Sequence, residues 1–279
     1  GVSLAPIRAK GKVYILDRVD LLGVSAANAF LKTLEEPVEG VTFILLGRTR
    51  EAVLPTIVSR CQVVPFRHIP AREAAGILSQ KTGVTPEQAR IAIEACNGSI
   101  TRAMTFAKSA ERAEFRTRIM EVLSNLPLSD ERDVLEYAAE LIERAKAPLD
   151  NVRTQQSEEL AESADFLTKT ALKQIELRHK RALSMATRES LNQTTSIIRS
   201  WLRDVLMIAS GTPDLIVNID QREVLQRVAQ KVTPASIMSA LREAYKTDET
   251  LSYNVSPETC LDVLLFSIRE VLNGSGNPH

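Results

Sequence analysis

The chain is poor in the residues that build disulfide frameworks and small metal sites. Its 279 residues include three cysteines and three histidines, namely Cys61, Cys96, Cys260, His68, His179 and His279. The cysteines are too few and too scattered for a disulfide-stapled secreted fold. No Cys-x-x-Cys pair occurs and the histidines are isolated, so we expect no zinc site within these residues.

Net charge and long apolar runs are also absent. The 35 Lys+Arg residues balance 35 Asp+Glu residues, which argues against a strongly basic protein that coats nucleic acid by itself but leaves a local basic patch open. No run of about 18 apolar residues predicts a transmembrane helix, and the N-terminus lacks the apolar core of a secretion signal. At roughly 150 residues per domain, the length suggests about two domains.

The first 66 residues have an α/β pattern. The apolar run Val13–Leu16 predicts a parallel strand that is buried on both faces and ends at Asp17. A helix over Ala26–Glu35, capped by Ser25 and stopped before a proline, leads to a second strand over Val41–Leu46. Strand, helix and strand in so short a space predict a parallel crossover unit. A further helix over 51–59 and a third strand over 62–66 are expected next.

Helical periodicity dominates after Pro70. Thr85-Pro86 with Gln88, and later Thr233-Pro234 and Ser256-Pro257, combine a capping residue with a first-turn proline. Apolar stripes along two of the predicted helices predict a helix-bundle core. The predicted helices cover 71–82, 86 to near 98, 99 onward, 110–125, 130–146, 155–188, 190–209, 221–230, 234–246 and 257–272, and the polar tail 273–279 is expected to be disordered.

Two features admit more than one interpretation. The segment Lys169–Arg188 carries many basic residues and is either a solvated helix face or a surface that faces DNA or a partner. Asp17 follows a predicted strand at the edge where open parallel sheets bind ligands. An aspartate there can orient a Mg²⁺ on a nucleotide phosphate, but it is also common as a turn former.

Two longer sequence motifs carry a resemblance to a known family. Residues 13–37 read VYILDRVDLLGVSAANAFLKTLEEP, and residues 43–61 read FILLGRTREAVLPTIVSRC. They resemble the bacterial clamp loaders of the AAA+ class, the gamma/tau and delta-prime subunits of DNA polymerase III. The Leu-Lys-Thr-Leu-Glu-Glu-Pro and Ser-Arg-Cys motifs match outright. The resemblance is close over 12–66, moderate over 67–110 and only positional beyond 110.

The resemblance implies a fold and domain boundaries. We expect the C-terminal half of an AAA+ nucleotide-binding core over 1–66, a three-helix lid over 67–110 and a helical collar over 111–279, so that the whole is a partial α/β domain followed by all-α domains. No Gly-x-x-x-x-Gly-Lys-[Ser/Thr] loop occurs, since Gly11-Lys12 lacks the rest of the motif. The family places that loop and a small zinc module upstream, and the chain starts at Gly1 without a methionine, so we expect both to precede residue 1.

The resemblance also assigns roles to residues. Arg60, framed by Ser59 and Cys61, corresponds to an arginine finger that acts on ATP bound by a neighbouring subunit; the alternative is a structural ion pair. Asp17 corresponds to the first acid of a Walker B motif, and Thr49 lies near the sensor 1 position or simply caps a helix. Arg102 lies one residue beyond the sensor 2 position, a rotation of about 100° on a helix.

Arg18 stands where the family has the glutamate that activates water, and an arginine cannot accept a proton. This replacement, the displaced Arg102 and the helix sequence Ala26–Ala29 favour a delta-prime type over a gamma/tau motor subunit. The implied role is a cytoplasmic replisome subunit that binds no cofactor of its own and catalyses nothing by itself, within the nucleotidyltransferase DNA polymerase III. Its expected partners are gamma/tau and delta subunits, the sliding clamp and, through the complex, primer–template DNA, but no membrane. A helical scaffold outside replication is the remaining alternative.

Overall fold

The computed structural model describes residues 11–67, 69–163, 168–251 and 255–274. By its internal contacts the chain divides into two units, one ending at Arg67 and the other beginning at His68. The first unit is a small α/β unit, and the second is all helical. His68, His279 and most of the polar tail lie outside the described residues, as does the start of the chain.

The first unit is built on two parallel strands, β1 (Lys12–Leu16) and β2 (Val41–Leu45), joined through helix α1 (Val24–Glu35). Leu16 pairs with Leu45, so both strands end at one edge of the sheet. The ring of Phe30 on α1 meets Phe43 of β2 edge-on at 5.4 Å, which packs the helix on one face of the sheet. The strand–helix–strand prediction is confirmed.

Three details of this unit differ from the sequence predictions. Helix α1 begins at Val24 with Gly23 as its N-cap, so Ser25 lies inside the first turn instead of capping it. The next helix, α2, covers only Pro55–Val58. A longer helix through residue 51 is prevented because the proline ring would clash with a carbonyl four residues earlier. Pro55 therefore takes the first helical position.

The third detail concerns strand burial. Val13 and Ile15 are 62% and 66% exposed, because within the described part of this unit α1 covers only one face of the sheet. Residues 62–66 form no strand, and Phe66 is 92% exposed. A strand requires a neighbouring strand for its ladder hydrogen bonds, and β1 and β2 pair with each other. The predictions of a fully buried β1 and of a third strand were therefore wrong for the described residues.

The second unit contains ten α-helices over the described residues, and all of them except α8 contribute buried residues to one hydrophobic core. They are α3 (Ala71–Thr82), α4 (Pro86–Ala95), α5 (Ile100–Ala107), α6 (Ala110–Asn125), α7 (Glu131–Lys146), α8 (Pro148–Ser163), α9 (Lys169–Ala209), α10 (Arg222–Ala229), α11 (Pro234–Leu251) and α12 (Pro257–Leu272). Both apolar stripes predicted from the sequence lie in this core, with Trp201 and Leu264 fully buried. The helix-bundle prediction is confirmed. The predicted lid and collar segments share this core, and their boundary remains a prediction.

In the helical unit the caps predicted from sequence at Thr85, Thr233 and Ser256 are present. Several helix boundaries were misplaced, and α11, predicted over 234–246, continues to Leu251. Thr85 accepts the amide of Gln88 at 3.2 Å, and the Gln88 side chain accepts the Thr85 amide at 3.1 Å. Helices predicted over 155–188 and 190–209 are instead α8 and the 41-residue α9. Ser190 lies inside the continuous helix α9, and its hydroxyl donates to the carbonyl of Ala145, which joins α9 to α7. No described helix is long and apolar enough to cross a bilayer.

Candidate functional site

The first unit brings together the two motifs that carry the resemblance. Glu35 is the last residue of α1, and Arg60 follows the short helix α2. The Nε atom of Arg60 donates to Oε1 of Glu35 at 2.7 Å, and its Nη2 atom lies 2.5 Å from the same oxygen. The carboxylate at the end of one motif therefore holds the guanidinium at the centre of the other.

The rest of the Arg60 guanidinium is held by its own turn. Its Nη1 atom donates to the carbonyl of Thr56 at 3.0 Å and to the hydroxyl of Ser59 at 3.3 Å. The Ser59 hydroxyl in turn donates to the carbonyl of Thr56 at 3.1 Å. These bonds fix one orientation of a side chain that would otherwise sample many rotamers.

The pair between Arg60 and Glu35 is open to solvent. The two side chains are 35% and 47% exposed. An exposed ion pair contributes about 0–1 kcal/mol, because water screens the charges and both side chains lose entropy. The guanidinium is therefore oriented by contacts that another anion could replace at little cost.

Cys61 contributes packing rather than reactivity. Its side chain is half-buried, and burial raises the pKa of its thiol above the ordinary value. A raised pKa leaves less thiolate at neutral pH, and the thiolate is the nucleophilic form. The same effect is stronger at Cys96, where burial raises the pKa to about 11.

The residues after the two strands lie at one edge of the sheet. Asp17 directly follows β1 and is exposed, and Thr49 comes a few residues after β2. The hydroxyl of Thr49 accepts the amide of Ala52 at 3.2 Å within a turn, whereas the next helix, α2, has Leu54 as its N-cap, so the helix-capping alternative was wrong. Arg18 adopts the left-handed conformation with φ 58°, uncommon for a residue with a side chain. Its Nε lies 3.5 Å from a carboxylate oxygen of Asp20.

Arg102, the residue nearest the sensor 2 position, belongs to the helical unit. It lies in the first turn of α5, where the hydroxyl of Ser99 accepts its backbone amide at 3.5 Å. Its guanidinium pairs with the carboxylate of Glu189 on α9. The structure thus gives Arg102 an intrachain partner within the helical unit.

Sequence reasoning missed a buried polar network in the helical unit. Asp204 is completely buried and accepts the backbone amides of Val217 and Asn218 at 2.9 and 2.7 Å. Arg116 binds both carboxylate oxygens of Asp220 and, at 2.7 Å, the side chain of Asn218. Burial opposes ionisation of Asp220, but the bonds from Arg116 outweigh it and lower its pKa. The partners lie up to 104 residues apart, so no local pattern could reveal them.

A cavity of about 590 Å³ lies between α4, α9 and α11. Arg199 and Arg203 line it, but Arg199 pairs with Asp248, and Arg203 pairs with Glu94 and Asp204. Both guanidinium groups therefore have carboxylate partners within the helical unit, and these pairs link the helices. Over the described ranges, no three His, Cys, Asp or Glu residues are grouped so that they could hold a metal ion.

Comparisons with known proteins agree with the motifs. The family model described as "DNA polymerase III, delta subunit" matches residues 1–70, and "DNA polymerase III, delta subunit, C terminal" matches residues 157–269. The chain is 31% identical over 120 residues to DNA polymerase III subunit delta' of Bacillus subtilis, covering 43% of this chain and 36% of that protein.

Two further relatives carry other subunit names. The tau subunit of B. subtilis is 31% identical over 168 residues, covering 53% of this chain and 30% of that protein. The tau subunit of Escherichia coli is 47% identical over 60 residues, covering 22% of this chain and 9% of that protein. The matches to the delta' and tau subunits of B. subtilis therefore span about a third of the length of those two proteins.

Proposed function

Because this chain is a delta-prime-like protein of the DNA polymerase III clamp-loader family, we propose that it supplies Arg60 as an arginine finger to ATP bound by an adjacent subunit. In this role it assembles with gamma/tau and delta subunits in the cytoplasm and takes part in loading the sliding clamp onto primed DNA. ATP and Mg²⁺ belong to the neighbour. The observation that carries the proposal is the exposed, oriented guanidinium of Arg60.

Physical chemistry supports Arg60 in this role. A guanidinium is planar and permanently charged, and it donates two parallel hydrogen bonds to a phosphate as readily as to a carboxylate. The Glu35 carboxylate stands in for the anion in the isolated chain. When a neighbour presents a phosphate, exchange of one exposed anion for another costs little, because the pair with Glu35 is itself weak.

The same chemistry argues against hydrolysis by this chain. Arg18 follows Asp17 where a water-activating carboxylate is needed, and a guanidinium cannot act as a general base. The hydroxyl of Thr49 accepts the amide of Ala52 within its own turn, and Arg102 pairs with Glu189. The proposed role is therefore to complete a site on another subunit, with Asp17 and Thr49 as remnants of a nucleotide site.

The test uses a reconstituted loader that contains this subunit with Arg60→Ala. We expect normal assembly by size-exclusion chromatography but a DNA-stimulated ATPase rate lowered at least tenfold at the site it serves, since arginine fingers elsewhere contribute about 10³–10⁵ in rate. Arg50→Ala, another exposed arginine of the same unit, is the matched control. An unchanged ATPase rate and unchanged clamp loading with Arg60→Ala would refute the assignment.

A second candidate is a gamma/tau-type ATPase subunit, which the identity of 47% to E. coli tau favours. It requires that the complete gene product bind ATP, which can be measured by titration with a fluorescent ATP analogue. Tight, Mg²⁺-dependent binding would favour this candidate. Absence of binding, together with loss of ATPase in the Arg60→Ala loader, would favour the delta-prime role.

A further inference from the structure

The N-terminal half of α9 carries a concentrated positive surface. Lys180 and Arg181 follow Lys173 by about two helical turns, and the three residues share one side of the helix, with Arg178 at its border. All four side chains are exposed. We call these four residues the α9 basic face. The segment from residue 173 to 181 contains one acid, Glu176, so its net charge is +3 with His179 neutral.

A contact on the opposite side of α9 orients this face away from α8. His179 is only 8% exposed, and its Nε2 atom lies 3.2 Å from a carboxylate oxygen of Glu159 on α8. Since α8 packs against that side of α9, the α9 basic face is turned toward solvent.

Among the described residues, no carboxylate neutralises the cations of the α9 basic face. None of the four lies within 4 Å of a carboxylate in the part of the chain that the structure describes. The C-terminal half of the same helix differs, because Arg199 pairs with Asp248 and Arg203 with Glu94. Uncompensated charge at close spacing costs self-repulsion, and an external polyanion would relieve it.

We propose that the α9 basic face binds the sugar–phosphate backbone of duplex DNA. From residue 173 to 181 the helix rises about 12 Å, and over that length one strand of a duplex presents roughly three to four phosphates. The number and spread of the cations thus suit one strand of a duplex backbone. The choice of DNA over another polyanion rests on the proposed clamp-loader function.

Two alternatives fit the α9 basic face less well. Single-stranded nucleic acid is usually held by aromatic side chains on which bases stack, and residues 169–188 contain no Phe, Tyr or Trp. A membrane surface requires a broad apolar face, whereas only Leu177 and Met185 are exposed large apolar residues in this segment. Phosphate contacts without base stacking favour the duplex.

The experiment compares two fourfold variants of the full chain. One carries Lys173→Gln, Arg178→Gln, Lys180→Gln and Arg181→Gln. The control carries Arg222→Gln, Arg227→Gln, Lys231→Gln and Arg242→Gln, which changes the net charge equally at exposed positions of α10 and its surroundings. Affinity for a fluorescent 20-base-pair duplex and for a single strand of equal length is measured by anisotropy between 50 and 200 mM NaCl.

For four phosphate contacts we expect the affinity of the unaltered chain for the duplex to fall roughly 100-fold over this salt range. The α9 variant should bind the duplex at least tenfold more weakly at 50 mM NaCl, with a log–log salt slope flatter by about 3 to 4. The control should keep most of the affinity. Equal losses in both variants, no measurable duplex binding by the unaltered chain, or tighter binding to the single strand would each overturn the proposal.

Failure of this proposal is distinguishable from failure of the Arg60 assignment. Arg60→Ala should bind the duplex with the unaltered salt slope, and a loader with the α9 variant should keep its ATPase rate in the absence of DNA. Circular dichroism checks folding of the fourfold variants. If the α9 variant is unfolded, Lys180→Gln and Arg181→Gln are tested singly, with a slope change of about 1 expected for each.

Discussion

Oε1 of Glu35 accepts hydrogen bonds from Arg60 across 25 residues of sequence. The pair joins the end of α1 to the turn after α2, and so couples the Leu-Lys-Thr-Leu-Glu-Glu-Pro motif to the Ser-Arg-Cys motif. Glu35 is therefore placed to hold Arg60 ready for an incoming anion.

This relationship predicts the effect of Glu35→Gln. The amide keeps an oxygen acceptor but loses the charge, so Arg60 should be less well oriented, and the DNA-stimulated ATPase rate of the loader should fall about two- to fivefold. The free energy of unfolding should change by less than about 1 kcal/mol, as for other exposed pairs. Glu39→Gln, another exposed glutamate of this unit, is the control. A rate equal to or above that of the unaltered loader would show that Glu35 does not position Arg60.

Thr85→Ala should destabilise the helical unit through its lost cap. The substitution removes one acceptor of the reciprocal pair with Gln88 and leaves an amide of the first turn without its partner. We expect a loss of about 0.5–2 kcal/mol in the free energy of unfolding, measured with urea. Thr117→Ala, an exposed threonine inside α6, is the matched control and should be neutral. Equal effects of the two substitutions would contradict the capping role.

Asp204→Ala should be among the most destabilising single substitutions. It would leave the buried amides of Val217 and Asn218 without an acceptor, and Arg203 without one of its carboxylate partners. Loss of one partner from a buried charged network costs about 3–5 kcal/mol. Urea unfolding is compared with that of Asp214→Ala, which alters an exposed aspartate in the same region and should cost less than about 0.5 kcal/mol. A cost below 1 kcal/mol for Asp204→Ala would contradict the network's importance.

The lowered pKa of Glu258 predicts that part of the free energy of unfolding is lost in acid. The hydroxyl of Ser256 donates to its carboxylate at 2.6 Å, Lys146 lies 2.9 Å from the other oxygen, and these contacts lower its pKa to about 2. A lowered folded-state pKa stabilises the folded chain above the unfolded value of about 4.5, and this contribution is lost as the pH falls from there toward 2. Solvent screening limits it to on the order of 1 kcal/mol, since the side chain is 52% exposed.

The measurement compares urea unfolding of the unaltered chain and Glu258→Gln at pH 7 and pH 3. Glu258→Gln should be less stable at pH 7, and the difference should shrink at pH 3. Glu158→Gln, an exposed glutamate of α8, controls for the change in net charge. A difference in the free energy of unfolding that is larger at pH 3 than at pH 7 would contradict the lowered pKa of Glu258.

Most local elements, and the motifs behind the resemblance to clamp loaders, were predictable from the sequence. Helix starts at Thr85, Ser99 and Ser256 were predictable because a cap and its helix lie within four residues of each other. The apolar stripe around Trp201 predicted the core, because helical periodicity is a property of neighbouring residues. The Ser-Arg-Cys motif singled out Arg60 because its three residues are contiguous in the sequence.

The partners of the charged side chains follow from the tertiary fold. The two residues of a pair are separated by 25 to 104 positions, as in Arg60 with Glu35, Arg102 with Glu189 and Arg116 with Asp220. Nothing in the local sequence specifies such pairs. The wrongly predicted strand over 62–66 has the same cause, since a strand exists only where another strand supplies its hydrogen bonds. Local propensity fixes which element can form, and long-range packing decides which does and what its side chains bind.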